Sequence, residues 1–191
     1  GFIGLGNMAT AIIGGILKNG LVNPADIMGS AHTEATVKKA VEQYQITGAS
    51  DNKEVAAYAD YLVLAIKPQM YPVVIEEIRE VVRKETVIIS IAPGKTLQWL
   101  ADLFKKDAHE IKLVRCMPNT PALVMEGCTG VCFGETVLEQ EKETVMQLLN
   151  SFGKAMVVPE NLMNTVVGVS GSSPAYVFMF IEAMADAAVA E

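Results

Sequence analysis

A glycine-rich turn near the start of the chain limits the folds open to it. Gly4-Leu5-Gly6-Asn7-Met8-Ala9 follows an apolar run and precedes a segment with apolar residues three and four positions apart. In this pattern the first glycine permits a tight turn, the second lets the backbone approach a ligand, and the alanine lets helix and strand pack closely. The N–H groups at the start of such a helix bind phosphate. The pattern predicts a dinucleotide-binding turn rather than a tight connection alone.

Short apolar runs alternate with helical patterns along most of the chain. The runs are continuous, as expected of strands that helices cover on both faces. This predicts an α/β fold with a Rossmann-type, doubly wound parallel sheet and right-handed crossovers. The predicted strands are 2–5, 27–30, 61–67, 86–92, 112–117, 129–133 and 155–158, and the predicted helices are 9–17, 33–44, 71–84, 97–106, 139–150 and 175–190.

The sequence changes character after Pro159. The segment 170–174 predicts a polar turn, in which Ser173 and Pro174 cap and open the last helix. That helix is apolar nearly all round, so it must be buried on all sides, and nothing else in the chain can bury it. We therefore expect a sheet domain at 1–159 and, at 160–191, the start of a second, helical domain packed against a partner subunit. The chain begins inside a strand and stops inside a helix, and we expect both ends to be cut.

Composition excludes several classes of protein. Apolar residues make up 51% and charged residues 19%, which excludes a disordered chain. No run approaches the roughly 18 apolar residues of a membrane span, so no membrane partner is expected. The net charge of −7 disfavours a nucleic-acid partner, because an acidic surface repels the phosphate backbone, so no nucleic-acid partner is expected. The three cysteines and two histidines (Cys116, Cys128, Cys132, His32 and His109) show neither a disulfide framework nor zinc-ligand spacing, which predicts no metal site and free thiols in a reducing compartment, the cytoplasm.

The tip of the second predicted strand bears on which dinucleotide binds. Sites that prefer NAD carry an acid there, which binds the ribose 2′-hydroxyl. Here the tip reads Ser30-Ala31-His32-Thr33, without an acid and without a nearby arginine. Hydroxyls and a histidine tolerate a 2′-phosphate, so the sequence favours NADP over NAD. His32 is equally well explained as an exposed loop residue.

Three further predicted strands end in segments that we expect at the same edge of the sheet. Two of these segments are 65–69 and 91–94, and the third is the proline-flanked loop 117–122. Ligands of open α/β sheets bind at the carboxyl ends of the strands, which places Lys67 and Asn119 near a cofactor. The alternatives are a lysine that reaches into water and purely structural turns. The sequence shows no catalytic triad, carboxylate pair or P-loop, and hydride chemistry proceeds without them when a cofactor carries it.

Five strings, GFIGLGNMATAI, DNKE, AIKPQ, MPNTPA and SGSSPAY, occur together in the order and spacing of one family. Over its whole length the chain resembles pyrroline-5-carboxylate reductase. The resemblance implies a Rossmann domain followed by a helical dimerisation domain, with dimers assembled into larger rings. It also implies hydride transfer from NADPH, with NADH accepted, to the C=N carbon of 1-pyrroline-5-carboxylate. The product is L-proline, in the last step of proline biosynthesis.

The resemblance also assigns cofactor-binding residues by position. The pyrophosphate would lie against Ile3, Gly4, Leu5, Gly6, Asn7 and Met8, the adenosine 2′ position near Ser30, Ala31 and Thr33, and the adenosine half against Asn52. The ribose and nicotinamide would contact Ala65, Ile66, Lys67, Pro68, Ile91, Ala92 and Pro93, with Asn119 near the nicotinamide. The catalytic group stays unknown, because the family's S-P-G-G-[TA]-T loop, which holds the substrate carboxylate, would follow residue 191.

Two other functions compete with this interpretation. A β-hydroxyacid dehydrogenase shares the opening GFIGLGNM but needs a lysine on the helix after the Rossmann domain, and 174–190 contains none. A non-catalytic, NADP-binding regulatory protein is the other, because a Rossmann domain can bind a cofactor without reacting. An S-P-G-G-[TA]-T string farther along the chain would support the reductase, and its absence would support the regulatory protein.

Overall fold

The computed structural model describes residues 1–105 and 110–190 and contains an eight-stranded sheet in the order β3-β2-β1-β4-β5-β6-β7-β8. The strands are β1 (Phe2–Ile3), β2 (Met28–Ser30), β3 (Thr47–Gly48), β4 (Tyr61–Leu64), β5 (Val87–Ser90), β6 (Lys112–Met117), β7 (Gly127–Phe133) and β8 (Gly153–Val157). The helices are α1 (Asn7–Lys18), α2 (Glu34–Tyr44), α3 (Asn52–Tyr58), α4 (Tyr71–Ile78), α5 (Leu97–Phe104), α6 (Glu139–Asn150), α7 (Met163–Val166) and α8 (Ser173–Ala190).

The sheet is parallel except between β6 and β7, which corrects the expectation of an all-parallel sheet. The two strands are joined by 118–126, which contain only the 3₁₀ turn Thr120–Val124. A parallel connection needs about a dozen residues or more, usually with a helix, so a link this short can only return antiparallel. The rest of the predicted α/β architecture is confirmed.

Two apolar layers cover the sheet, one on each face. One contains α1 and α6, with Ile13 and Val145 fully buried, and the other contains α3, α4 and α5, with Val55, Ile75 and Leu100 fully buried. Burial on both faces is the reason that the central strands are continuously apolar.

Sequence analysis missed three elements: α3, β3 and the four-residue α7. Helix α3 begins with a readable signal: Asp51 Oδ1 accepts from the Glu54 N–H over 2.9 Å, and Glu54 Oε2 accepts from the Ser50 N–H over 3.1 Å. Asp51 is therefore the N-cap of α3, and Glu54 ties the residue before the cap to the first turn, so the DNKE string starts a helix. Strand β3 has two residues and is too short to leave a pattern. The end of the helix predicted at 97–106, and His109, lie outside the described residues.

The polar turn predicted at 170–174 is wrong, because this segment continues a helix. Residues Val167–Gly171 form a π-helical turn between α7 and α8. Pro174 has no N–H to donate to the Ser170 carbonyl, which loosens the backbone ladder at this point. The Ser173 hydroxyl donates to the Val169 carbonyl one turn earlier, so Ser173 does not act as an N-cap.

Helix α8 has no buried residue within this chain. Its exposed apolar side chains include Phe178 at 68% and Phe180 at 65% exposure. The helical stretch Glu160–Ala190 is also long and apolar enough to cross a membrane, with a mean hydropathy of 1.3 in one window. The expectation that no run approaches this length needs correction, since only Glu182 and Asp186 carry charge from 161 to 190. Length and hydropathy do not separate a membrane span from a helix that a protein partner covers.

Candidate dinucleotide-binding edge

The turn from β1 into α1 has the shape that a pyrophosphate requires. Gly4 has φ +94°, and a Cβ there would lie 2.6 Å from the Ala65 carbonyl oxygen, so only glycine fits. Gly6 is different: its backbone is extended, and a Cβ built on it meets no atom within 4 Å. The space in front of Gly6 is therefore open to a ligand.

The first turn of α1 faces this open space without a competing side chain. Gly6 is the N-cap and supplies no side-chain acceptor, and the first turn contains no acidic residue. The N–H groups that begin a helix then remain available, together with the positive end of the helix dipole. An uncapped N-terminus behind an open glycine fits a cofactor pyrophosphate.

The predicted adenosine residues meet at the end of β2. Ser30 is buried, and its hydroxyl lies 2.7 Å from Asn52 Oδ1, while Asn52 Nδ2 donates to Glu77 Oε2 over 2.9 Å. Thr33 caps α2 by accepting from the Thr36 N–H over 3.3 Å. Ala31 is partly exposed beside them. Sequence reasoning missed Glu77, which comes from α4 and lies 25 residues from its partner.

The ribose and nicotinamide residues predicted at the next two strand ends also lie at this edge of the sheet. Lys67 is exposed and has no ion pair within the described part of the chain. Ala92 is buried, whereas Pro93 is exposed and precedes Gly94, whose φ is +72°. The structure thus brings the segments 65–68 and 91–93 to the edge that holds Gly6, since β1, β4 and β5 are neighbouring parallel strands.

Asn119 holds its loop to two other segments. Its Oδ1 accepts from the Cys128 N–H over 2.8 Å, and its Nδ2 donates to the Ser170 carbonyl over 3.1 Å. That carbonyl is the one that Pro174 cannot engage. Asn119 is 9% exposed, so its amide fixes the proline-flanked loop against β7 and the helical segment.

The three cysteines are free thiols in the structure. Burial raises the pKa of the Cys116 thiol far above its usual range and raises that of Cys132 to about 11. Both thiols therefore stay protonated, which argues against a nucleophilic or metal-binding role. The described residues contain no group of three or more histidine, cysteine or acidic side chains placed to hold a metal.

Tyr71 supports the strand end beside this site. Its hydroxyl donates to the Leu64 carbonyl over 2.7 Å and lies 3.0 Å from Ser90 Oγ, and burial raises its pKa to about 12 from 10.0.

We expect stability to fall above pH 10 because of this shift. The unfolded chain releases the Tyr71 proton near pH 10, whereas the folded chain holds it to about pH 12. The free energy of unfolding then falls by up to about 1.4 kcal/mol per pH unit between these values. Urea denaturation from pH 8 to 11 should show a shallower loss for Tyr71→Phe than for the wild type, and equal slopes would contradict this assignment.

Comparison with known proteins gives the family. Residues 160–191 match the model described as pyrroline-5-carboxylate reductase dimerisation, and residues 1–94 match NADP oxidoreductase coenzyme F420-dependent. Pyrroline-5-carboxylate reductase of Escherichia coli K12 is 44% identical over 189 residues, which are 99% of this chain and 69% of that protein. The chain belongs to the pyrroline-5-carboxylate reductase family. The Methanosarcina acetivorans member is 36% identical over 191 residues, or 100% of this chain and 70% of that protein.

Solved structures agree with this membership. The reductase from Coxiella burnetii superposes with a TM-score of 0.90 at 33% identity, over 98% of this chain and 68% of that one. The Plasmodium falciparum enzyme, solved with NADP bound, gives 0.87 at 30% identity over the same shares. A 3-hydroxyisobutyrate dehydrogenase from Mycobacterium tuberculosis has a TM-score of 0.65 at 15% identity, which shows a shared fold alone.

Proposed function

We propose that the protein reduces 1-pyrroline-5-carboxylate to L-proline with NADPH, and that this chain provides the cofactor-binding part. The observation that carries the proposal is the open space at Gly6, before an uncapped helix N-terminus, in a chain 44% identical to the Escherichia coli reductase. The proposal includes the cofactor contacts predicted from sequence, from Ile3 to Asn119.

NADPH, when bound, supplies the hydride that reduces the C=N carbon. The chain's own part is to bind and orient. Gly4 and Gly6 shape the pyrophosphate turn, Ser30 and Asn52 hold the adenosine end, and Asn119 fixes the loop toward the nicotinamide end. Holding two reactants in place removes much of the entropic barrier to their reaction. The catalytic proton donor stays unassigned among the described residues.

The direct test is NADPH oxidation by the full-length protein with 1-pyrroline-5-carboxylate, with NADH and a 3-oxoacid in parallel. Turnover with the pyrroline alone supports the proposal. Turnover with the 3-oxoacid would support a dehydrogenase instead, and tight NADPH binding without turnover would support a regulatory protein.

We also propose that α8 pairs with a second copy of the chain in a homodimer. Its apolar surface is exposed on all sides within one chain, and the segment containing it matches the family's dimerisation model. A domain division at 159/160, a larger ring and a cytoplasmic location remain our predictions.

Replacing Phe180 by arginine should convert the full-length protein to monomers, because it places a charge in the apolar surface to be buried. Light scattering coupled to size exclusion measures the mass. Tyr58→Arg is the matched control, since Tyr58 is an exposed aromatic residue on α3 at 43% exposure. An unchanged mass for Phe180→Arg would show that α8 does not form the dimer interface.

A further inference from the structure

Three polar side chains form a hydrogen-bonded chain at the adenosine end of the proposed site. The Ser30 hydroxyl bonds Asn52 Oδ1 at 2.7 Å, and Asn52 Nδ2 donates to Glu77 Oε2 at 2.9 Å. Ser30 ends β2, Asn52 begins α3 and Glu77 lies in the last turn of α4. Three elements therefore meet at the strand end where Rossmann folds place the adenosine ribose.

Glu77 fixes the direction of both hydrogen bonds. A carboxylate only accepts hydrogen bonds, so Asn52 must turn its NH₂ group toward Glu77. The amide oxygen of Asn52 then faces Ser30, which must donate its single hydroxyl proton to that oxygen. Ser30 is 2% exposed, so bulk water does not replace this bond. In this arrangement the Ser30 hydroxyl has lone pairs to offer a ligand but no proton.

The fixed direction affects the two nicotinamide coenzymes unequally. The 2′-hydroxyl of NADH can donate a proton, whereas the 2′-phosphate of NADPH mainly accepts. To donate to that phosphate, Ser30 must withdraw its proton from Asn52, and Asn52 cannot turn over while Glu77 holds its NH₂ group. The amide oxygen of the half-buried Asn52 then loses a partner, which weakens binding. The negative charge of Glu77 also disfavours binding of the negatively charged 2′-phosphate of NADPH.

We propose that Glu77 is a positioning residue that limits the preference for NADPH over NADH by fixing the amide of Asn52. The inference rests on the proposed function, since it assumes that a nicotinamide coenzyme binds at this edge. The tip of β2 has no acid of its own, and Glu77 supplies one from α4 through Asn52.

The test is Glu77→Gln in the full-length protein. A glutamine amide donates as well as accepts, so Asn52 can turn over and Ser30 can donate to a phosphate. Kd values for NADPH and NADH are measured without substrate, from the fluorescence of the bound nicotinamide. We expect the ratio of the NADH Kd to the NADPH Kd to rise about tenfold. The KM ratio should follow it, with kcat for the pyrroline within about twofold of wild type.

Glu76→Gln is the matched control, because it removes the same charge from the same helix. Glu76 pairs with Arg79 and Lys105 and not with Asn52. Its Kd ratio should stay near that of the wild type. In a Ser30→Ala background, Glu77→Gln should shift the ratio no further than Glu76→Gln does, because the hydroxyl through which it acts is gone.

Two results would overturn the inference: a Glu77→Gln ratio no higher than that of Glu76→Gln, or a gain that persists in the Ser30→Ala background. If Glu77→Gln does not fold, Glu77→Asp replaces it, since its shorter carboxylate withdraws from Asn52 and should shift the ratio in the same direction. Wild-type protein that binds neither coenzyme would overturn the proposed function itself, which is a distinguishable result.

Discussion

Gly6→Ala should lower the affinity for NADPH about a hundredfold while leaving the fold intact. The added methyl group meets no protein atom within 4 Å, and the extended backbone at Gly6 accepts alanine without strain. It would occupy the space through which a pyrophosphate reaches the first N–H groups of α1. The free energy of unfolding should change by less than about 1 kcal/mol, the scale of an altered helix cap.

Gly14→Ala is the matched control within the same helix. A Cβ there makes ordinary contacts, the shortest 3.7 Å to the Tyr44 ring, and it lies two turns from the cofactor edge. Alanine favours a helix interior by up to about 1 kcal/mol, so this variant should be slightly more stable and bind NADPH normally. Fluorescence titration with NADPH and urea denaturation measure both properties. An unchanged NADPH Kd for Gly6→Ala would show that the pyrophosphate does not bind at this turn.

Glu160→Ala should lower the free energy of unfolding by about 2–4 kcal/mol. Glu160 Oε1 lies 3.4 Å from Arg115 Nη1 and accepts the Leu97 N–H over 2.7 Å at the start of α5. Arg115 is 3% exposed, and Asn164 is its other partner at 3.2 Å. Among the described residues Glu160 is the only acid paired with Arg115, so its removal leaves a buried charge without that counter-ion, and α5 loses an acceptor at its N-terminus.

Glu139→Ala tests whether position or charge matters. Glu139 and Glu160 line the same cavity of about 800 Å³, but the Glu139 side chain is 80% exposed and, in the described part of the chain, forms an ion pair with Lys142 alone, at 3.1 Å. An exposed pair contributes less than about 1 kcal/mol, so the urea midpoint should barely move. The double variant Arg115→Met with Glu160→Ala should recover part of the lost stability, because it removes the unpaired charge. Equal losses for Glu139→Ala and Glu160→Ala would contradict the role of Arg115.

The sequence predicted the strands and helices that are marked by the apolar periodicity of neighbouring residues. Strand β6 and helix α6 match the predicted ranges 112–117 and 139–150 at both ends, since each is bounded by clear changes in periodicity. The capping signal of Asp51 and Glu54 was readable in the sequence and was missed, and with it α3.

Contacts between distant residues could not be read in this way. The pairing of Asn52 with Glu77 spans 25 positions, and that of Asn119 with Ser170 spans 51. Strand β7 is antiparallel to β6 because the connection 118–126 is too short for a parallel crossover, and apolar periodicity does not indicate strand direction. The sequence therefore predicted Ser30 and Asn119 as site residues but not the partners that hold them.

The proposed pairing of α8 would make the stability of this protein depend on its concentration. A surface that two molecules bury together contributes to stability only when the second molecule is bound, so dilution would lower the free energy of unfolding. Under this proposal newly made chains would expose the apolar side chains of α8 until they pair, and exposed apolar surface of this kind favours aggregation. The concentration of the chain would then set the fraction that is paired.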